Sequence, residues 1–149
     1  MYYTNPQQTK MLIDAGLDPK GANVCLHILD DFTGEYEFVP KPWLVMCGDA
    51  KNKAYAPSWS VDELLLLMPP KFVERHDGGN VYETDRDYVY ELKMGKSVHY
   101  DPWYERINYC VYYKERGADE FCNELTFECE TFIECCVRMV CALLEKKKI

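Results

Sequence analysis

A chain of 149 residues with 48% hydrophobic and 28% charged residues has the balance of an ordered globular protein, and it is long enough to bury a core without a metal or disulfide staple. Its formal charge of -8 argues against nucleic acid as a partner, because affinity for a phosphate backbone comes mostly from lysine and arginine displacing counterions. The opening Met1-Tyr2-Tyr3-Thr4-Asn5-Pro6 lacks the basic and apolar regions of a secretory leader, and the longest apolar run, residues 64–70, is well short of the ~20 residues that span a bilayer.

The expected setting is therefore the cytoplasm, with no membrane contact. The sequence shows no repeat or composition break, so a single domain over residues 1–149 is expected. The eight cysteines then read as reduced, small, buried hydrophobes and not as a disulfide framework.

In chain order, Asn5-Pro6 opens a helix, with Met11, Leu12 and Ala15 on its apolar face and Gly16 as its stop. Asp18-Pro19 suggests a second short helix holding Val24, Cys25 and Ile28. Tyr36-Glu37-Phe38-Val39 and the continuously apolar Trp43-Leu44-Val45-Met46-Cys47 read as strands. Ser60-Val61-Asp62-Glu63 is a capping box, so a helix follows through Met68 and ends before Pro69-Pro70. His76-Asp77-Gly78-Gly79-Asn80 has no periodicity and is expected to be a surface loop.

Tyr88, Tyr90, Leu92 and Met94 alternate with Val89, Glu91 and Lys93, the pattern of a strand with one covered face. Gly95-Lys96 offers a turn, and Ile107, Tyr109, Val111 and Tyr113 repeat the alternation in an antiparallel meander. A long C-terminal helix starts at Thr131 or Thr126, with Ile133, Val137, Val140 and Leu144 as its core stripe. Glutamates at its beginning and Lys146, Lys147 and Lys148 at its end match the helix dipole.

Candidate chemistry is sparse. No Cys-x-x-Cys pair is present, and Cys122, Cys129 and Cys136 recur every seven residues, ~10.5 Å apart on a continuous helix and too far to share one zinc. Cys25, His27, Asp30 and Asp31 make at most a partial metal site. Neighbouring Cys135 and Cys136 diverge on a helix, which disfavours a redox pair, and Cys129 stands between two glutamates that work against a thiolate. His99 and Asp101, two apart, share a strand face as an imidazole and carboxylate would in a catalytic pair, although a surface pair is the preferred reading. No nucleophile elbow, phosphate loop or dinucleotide fingerprint occurs. No catalytic residue, metal or cofactor is assigned.

The unusual feature is twelve tyrosines with three tryptophans, the residue types that protein interfaces favour. Tyr112 and Tyr113 fall on opposite strand faces, so one of them needs a second covering layer. Tyr112, Tyr113 and Tyr90 are the candidate interface residues, for a protein partner or for self-association.

Thr9-Lys10-Met11-Leu12-Ile13-Asp14-Ala15-Gly16-Leu17-Asp18-Pro19, then Pro57-Ser58-Trp59-Ser60-Val61-Asp62-Glu63-Leu64-Leu65, and the closing helix together resemble a loose group of short uncharacterised proteins of gut Bacteroidales and their prophages or mobile elements. The resemblance implies a bacterial or phage setting and carries no activity. The expected fold is α+β: a small, mainly antiparallel sheet packed against a long C-terminal helix and short N-terminal helices. The expected function is a noncatalytic interaction or accessory module. The alternatives are a hydrolase of unrecognised type, or an acidic nucleic-acid mimic suggested by six carboxylates over residues 119–134.

Overall fold

A computed structural model describes residues 2–39, 55–76, 86–117 and 121–149. It has a mixed α+β fold with two antiparallel sheets, and it divides into two compact units, Met1–Leu67 and Met68–Ile149. The apolar run at residues 43–47 and the loop at residues 77–80 lie outside the described residues.

The first unit begins with helix α1, Pro6–Asp14. Asn5 Oδ1 accepts from the Gln8 amide at 2.8 Å, and the Asn5 amide donates to Gln8 Oε1 at 3.1 Å, so two otherwise orphaned donors are satisfied reciprocally. Gly16, at φ +109°, ends the helix: the Leu17 amide reaches back to the Leu12 carbonyl and the Gly16 amide to that of Ile13.

The expected second helix is a single 3-10 turn, Pro19–Gly21, and the chain continues into strand β1, Val24–Asp30. Tertiary burial outweighs the local helix signal here. β1 is the central strand of a three-stranded sheet, between β2, Glu35–Val39, and β3, Tyr55–Ser58, and Cys25 and Leu26 on its two faces are both fully buried. Cys25 is disulfide-bonded, which corrects the expectation of eight free thiols.

A buried hydroxyl network joins the N-terminal segment to β3. Ser58 Oγ donates to the Thr4 carbonyl at 2.7 Å and Thr9 Oγ1 donates to the Pro57 carbonyl at 2.9 Å. Both hydroxyl protons are thereby used, so Thr4 Oγ1 donates to Thr9 Oγ1, 2.9 Å away, while it accepts from the Trp59 amide at 3.1 Å. Helix α2, Val61–Leu67, follows with the expected capping box: Ser60 N donates to Glu63 Oε2 at 2.8 Å and Glu63 N to Ser60 Oγ at 3.2 Å. Trp59 and Leu64 are core, and Leu66 points to solvent.

The second unit is a meander in strand order β4-β5-β6-β7: Lys71–His76, Arg86–Asp101, Tyr104–Glu115 and Phe121–Cys129. The chain does not turn at Gly95-Lys96. β5 runs straight through, in unbroken register from Tyr90↔Glu115 to Asp101↔Tyr104, and reverses at Pro102-Trp103. Gly95 sits in the strand opposite Cys110, where an added Cβ would meet Cys110 Sγ at 3.4 Å.

Helix α3, Phe132–Glu145, covers one face of this sheet. Its N-cap is Thr131, whose Oγ1 accepts from the Glu134 amide at 3.3 Å, while Thr126 lies within β7. The buried stripe is Cys136, Met139, Val140 and Leu143, flanked by Cys135 and Val137. Leu144 and Ile133, expected at its centre, are only half-buried at its margin. Cysteines acting as small hydrophobes rotate the apolar face away from the position that the branched residues alone indicate. Lys147, at φ 56°, closes the helix as the Lys148 amide bonds to the Leu143 carbonyl and the Lys147 amide to that of Leu144. Among the described residues no helix is long and apolar enough to cross a membrane.

Candidate interaction surface on the β5–β6 hairpin

β4 pairs with β5 only at residues 86–91, and β7 pairs with β6 only at residues 109–114. The remainder of β5 and β6 is therefore a two-stranded arm, residues 93–108. Strand alternation gives it two unlike faces. Met94, Val98 and Ile107 continue the face that α3 covers farther along the sheet, but here they are 45%, 43% and 48% exposed. Tyr100 and Trp103 at the tip are 82% and 91% exposed, and Lys96 lies over the Tyr109 ring at 5.5 Å.

The opposite face is polar and gathers around one carboxylate, while Asn108 Oδ1, which is buried, has no hydrogen-bond partner among the described residues. Glu128 Oε1 accepts from Ser97 Oγ at 2.6 Å, lies 2.7 Å from His99 Nε2, and accepts from Asn108 Nδ2 at 3.1 Å. These bonds, led by that of Ser97, pull the Glu128 carboxyl down to about 2. Arg106 bonds to Glu130 at 2.6 Å and Arg138 to Glu134 at 3.0 Å beside a shallow depression of ≈ 430 Å³.

A serine, a histidine and a glutamate in contact suggest hydrolytic chemistry, but the geometry is wrong for it. Ser97 Oγ gives its proton to Glu128, and the ring nitrogen nearest to it, Nε2 at 3.4 Å, is the one already engaged by that carboxylate. No imidazole nitrogen is therefore placed to take the serine proton while the carboxylate orients the other side of the ring. The cluster works as a clamp that ties the arm to β7. His99 thus engages Glu128, and the side chain of Asp101 lies outside the described residues.

The three tyrosines separate. Tyr113 is fully buried, donates its hydroxyl to the Pro69 carbonyl at 2.7 Å, and has its pKa raised by burial. Tyr90 is half-buried on the same inner face, stacked on Phe72 at 5.1 Å. Of the three, only Tyr112 lies on the face opposite α3, where it is half-buried. Sequence reasoning missed Tyr100 and Trp103, whose exposure depends on how far the hairpin outruns its neighbours.

The cysteine and metal candidates come apart as well. Burial pushes the Cys135 and Cys136 thiols up to about 12, and Cys135 Sγ lies 3.0 Å from the Tyr109 carbonyl. Such thiols remain protonated at neutral pH. His27 pairs with Glu37 at 2.9 Å and stacks on Tyr55, while Asp30 Oδ1 accepts from the Phe32 amide at 2.8 Å in a local turn. β7 ends at Cys129 and Cys136 belongs to α3, so the seven-residue recurrence does not lie on one helix. Among the described residues no group of three or more metal-ligating side chains converges.

No known family model, curated protein or solved structure matches this chain.

Proposed function

We propose that this protein is a noncatalytic protein-interaction module whose contact surface is the β5–β6 arm. The observation that carries this is the near-complete exposure of Tyr100 and Trp103 at the tip of a braced hairpin, one face of which leaves Met94, Val98 and Ile107 half-exposed. Single exposed hydrophobics are ordinary, whereas a contiguous set with aromatic anchors at its tip has the composition of a contact surface. The clamp on the other side fixes the arm's direction, which lowers the entropic cost of binding. The resemblance to short proteins of mobile elements fits an accessory role in a bacterial or phage setting.

The carboxylates of Glu128, Glu130 and Glu134 are each bonded to polar or cationic side chains, which leaves them poor mimics of a row of free phosphates. With a net charge of -8, the partner is protein and not nucleic acid.

The test is capture of partners from native lysate by the full chain, with Tyr100→Ala and Trp103→Ala compared against Leu66→Ala, an exposed leucine in α2. Loss of capture is expected for the two arm variants alone. Equal capture by all three would refute the assignment.

A further inference from the structure

Among the described residues, the outer edge of β5 is unpaired over most of the arm. The last bond on its β4 side is from the Leu92 amide to the Pro70 carbonyl, and the Val89 carbonyl faces β6, where it accepts from Arg116. Backbone direction alternates along a strand and the register is unbroken, so Met94, Lys96, Val98 and Tyr100 all turn both N–H and C=O outward. Among the described residues nothing bonds to these eight groups. Residues 93–101 give about 30 Å of open edge at ~3.4 Å per residue. Such an edge is a template for another strand.

We propose that the occupant is a second copy of this chain, its residues 93–101 paired antiparallel with those of the first about a two-fold axis at Ser97. This rests on the assignment of the arm as the contact surface. The choice of partner comes from the self-complementarity of the edge. Centred on Ser97, Met94 lies opposite Tyr100 of the second copy and Lys96 opposite Val98, and all eight outward groups of each chain are bonded. The same register sets Gly95, which has no side chain, opposite His99. Shifting the axis to residue 96 places Lys96 against itself and runs Tyr100 into Leu92, whose amide is taken. Shifting it to residue 98 leaves Met94 opposite the turn. A one-residue slip inverts the faces and is excluded by the pleat. The Ser97 axis alone uses the whole edge.

Two variants of the full chain test this by different means. Val98→Pro removes an outward N–H without touching the β6 ladder, where proline is tolerated on an edge. Sedimentation velocity should show a wild-type dimer, and the apparent dissociation constant should rise by at least ~10-fold in Val98→Pro with an unchanged circular dichroism spectrum. Ser97→Cys places a thiol against its own copy across a non-hydrogen-bonded pair, ~4.5 Å between Cα atoms, within disulfide reach. Mild oxidation should yield a covalent dimer whose cross-linked peptide maps to position 97 on both chains.

A wild-type protein that stays monomeric at several hundred micromolar overturns the proposal, as does a dimer that is indifferent to Val98→Pro and gives no cross-link at position 97. If the chain is monomeric but Trp103→Ala still abolishes capture of another protein, the self-pairing fails and the arm remains the contact surface.

Discussion

The clearest test of the helix-on-sheet packing compares two adjacent leucines. Leu143 is fully buried in the α3 stripe, while its neighbour Leu144 is half-buried at the margin. Truncating a fully buried leucine to alanine loses the transfer free energy of the deleted carbons and leaves a cavity, together about 3 kcal/mol in a range of about 2–5. At Leu144 solvent fills the gap, so only part of the transfer contribution is lost, about 1 kcal/mol. A chain that divides into two compact units need not unfold in one two-state step, which makes a whole-chain melting temperature a blunt measure. Hydrogen exchange at the α3 amides reports on the unit directly. At about 1.4 kcal/mol per tenfold, Leu143→Ala should speed exchange by ~100-fold and Leu144→Ala by about 5-fold. Equal effects, or a larger effect at Leu144, would show that the apolar face is centred on Ile133, Val137, Val140 and Leu144 after all.

In the first unit, Thr4→Val keeps the side-chain shape but leaves the Trp59 amide and Thr9 hydroxyl short of a partner, at a cost of about 2 kcal/mol. Urea titration followed by fluorescence of the buried Trp59 should show the lower midpoint, and an unchanged one would mean that the network adds nothing. In the clamp, carbon-detected NMR should place the Glu128 midpoint at about 2, and Ser97→Ala should raise it toward the ordinary ~4.3. Because the folded value lies below the unfolded one, the associated stability is present above pH ~4.3 and is lost as pH falls toward 2; it is small, since Glu128 is exposed. No change in the midpoint on removing the serine hydroxyl would contradict its leading role.

Local chemistry was readable wherever one side chain settles the matter. Asn5 before Pro6, Ser60 with Glu63, and Gly16 each fix a helix end through local backbone chemistry, and all three stand as read, while the part Gln8 plays in the first cap was not read. The alternation around Tyr90 and Leu92 likewise reports a real inner face. Long-range determinants were not readable. Val24–Asp30 is a strand because β2 and β3 flank it, and β5 passes through Gly95 because β6 continues beside it. Cys25 shows the same limit: a disulfide depends on what folding brings near, which cysteine spacing does not reveal. The arm was invisible for a similar reason, since strand lengths are set only by pairing.

The meander also constrains the order in which this protein assembles. In the second unit every strand pairs with its neighbour in sequence, and α3 follows β7 directly, so the β5–β6 hairpin closes across a two-residue turn and each later element adds to an existing edge. Hairpins of this kind form in microseconds, and low sequence separation favours fast folding. In the first unit the β1–β2 hairpin closes locally, but the N-terminal segment has no such route. Its N-terminal residues find their partners only when Pro57, Ser58, Trp59 and Ser60 arrive, 48 residues later for Thr9 and 54 or more for Thr4. During synthesis, α1 therefore leaves the ribosome well before the strand on which its hydroxyl network depends.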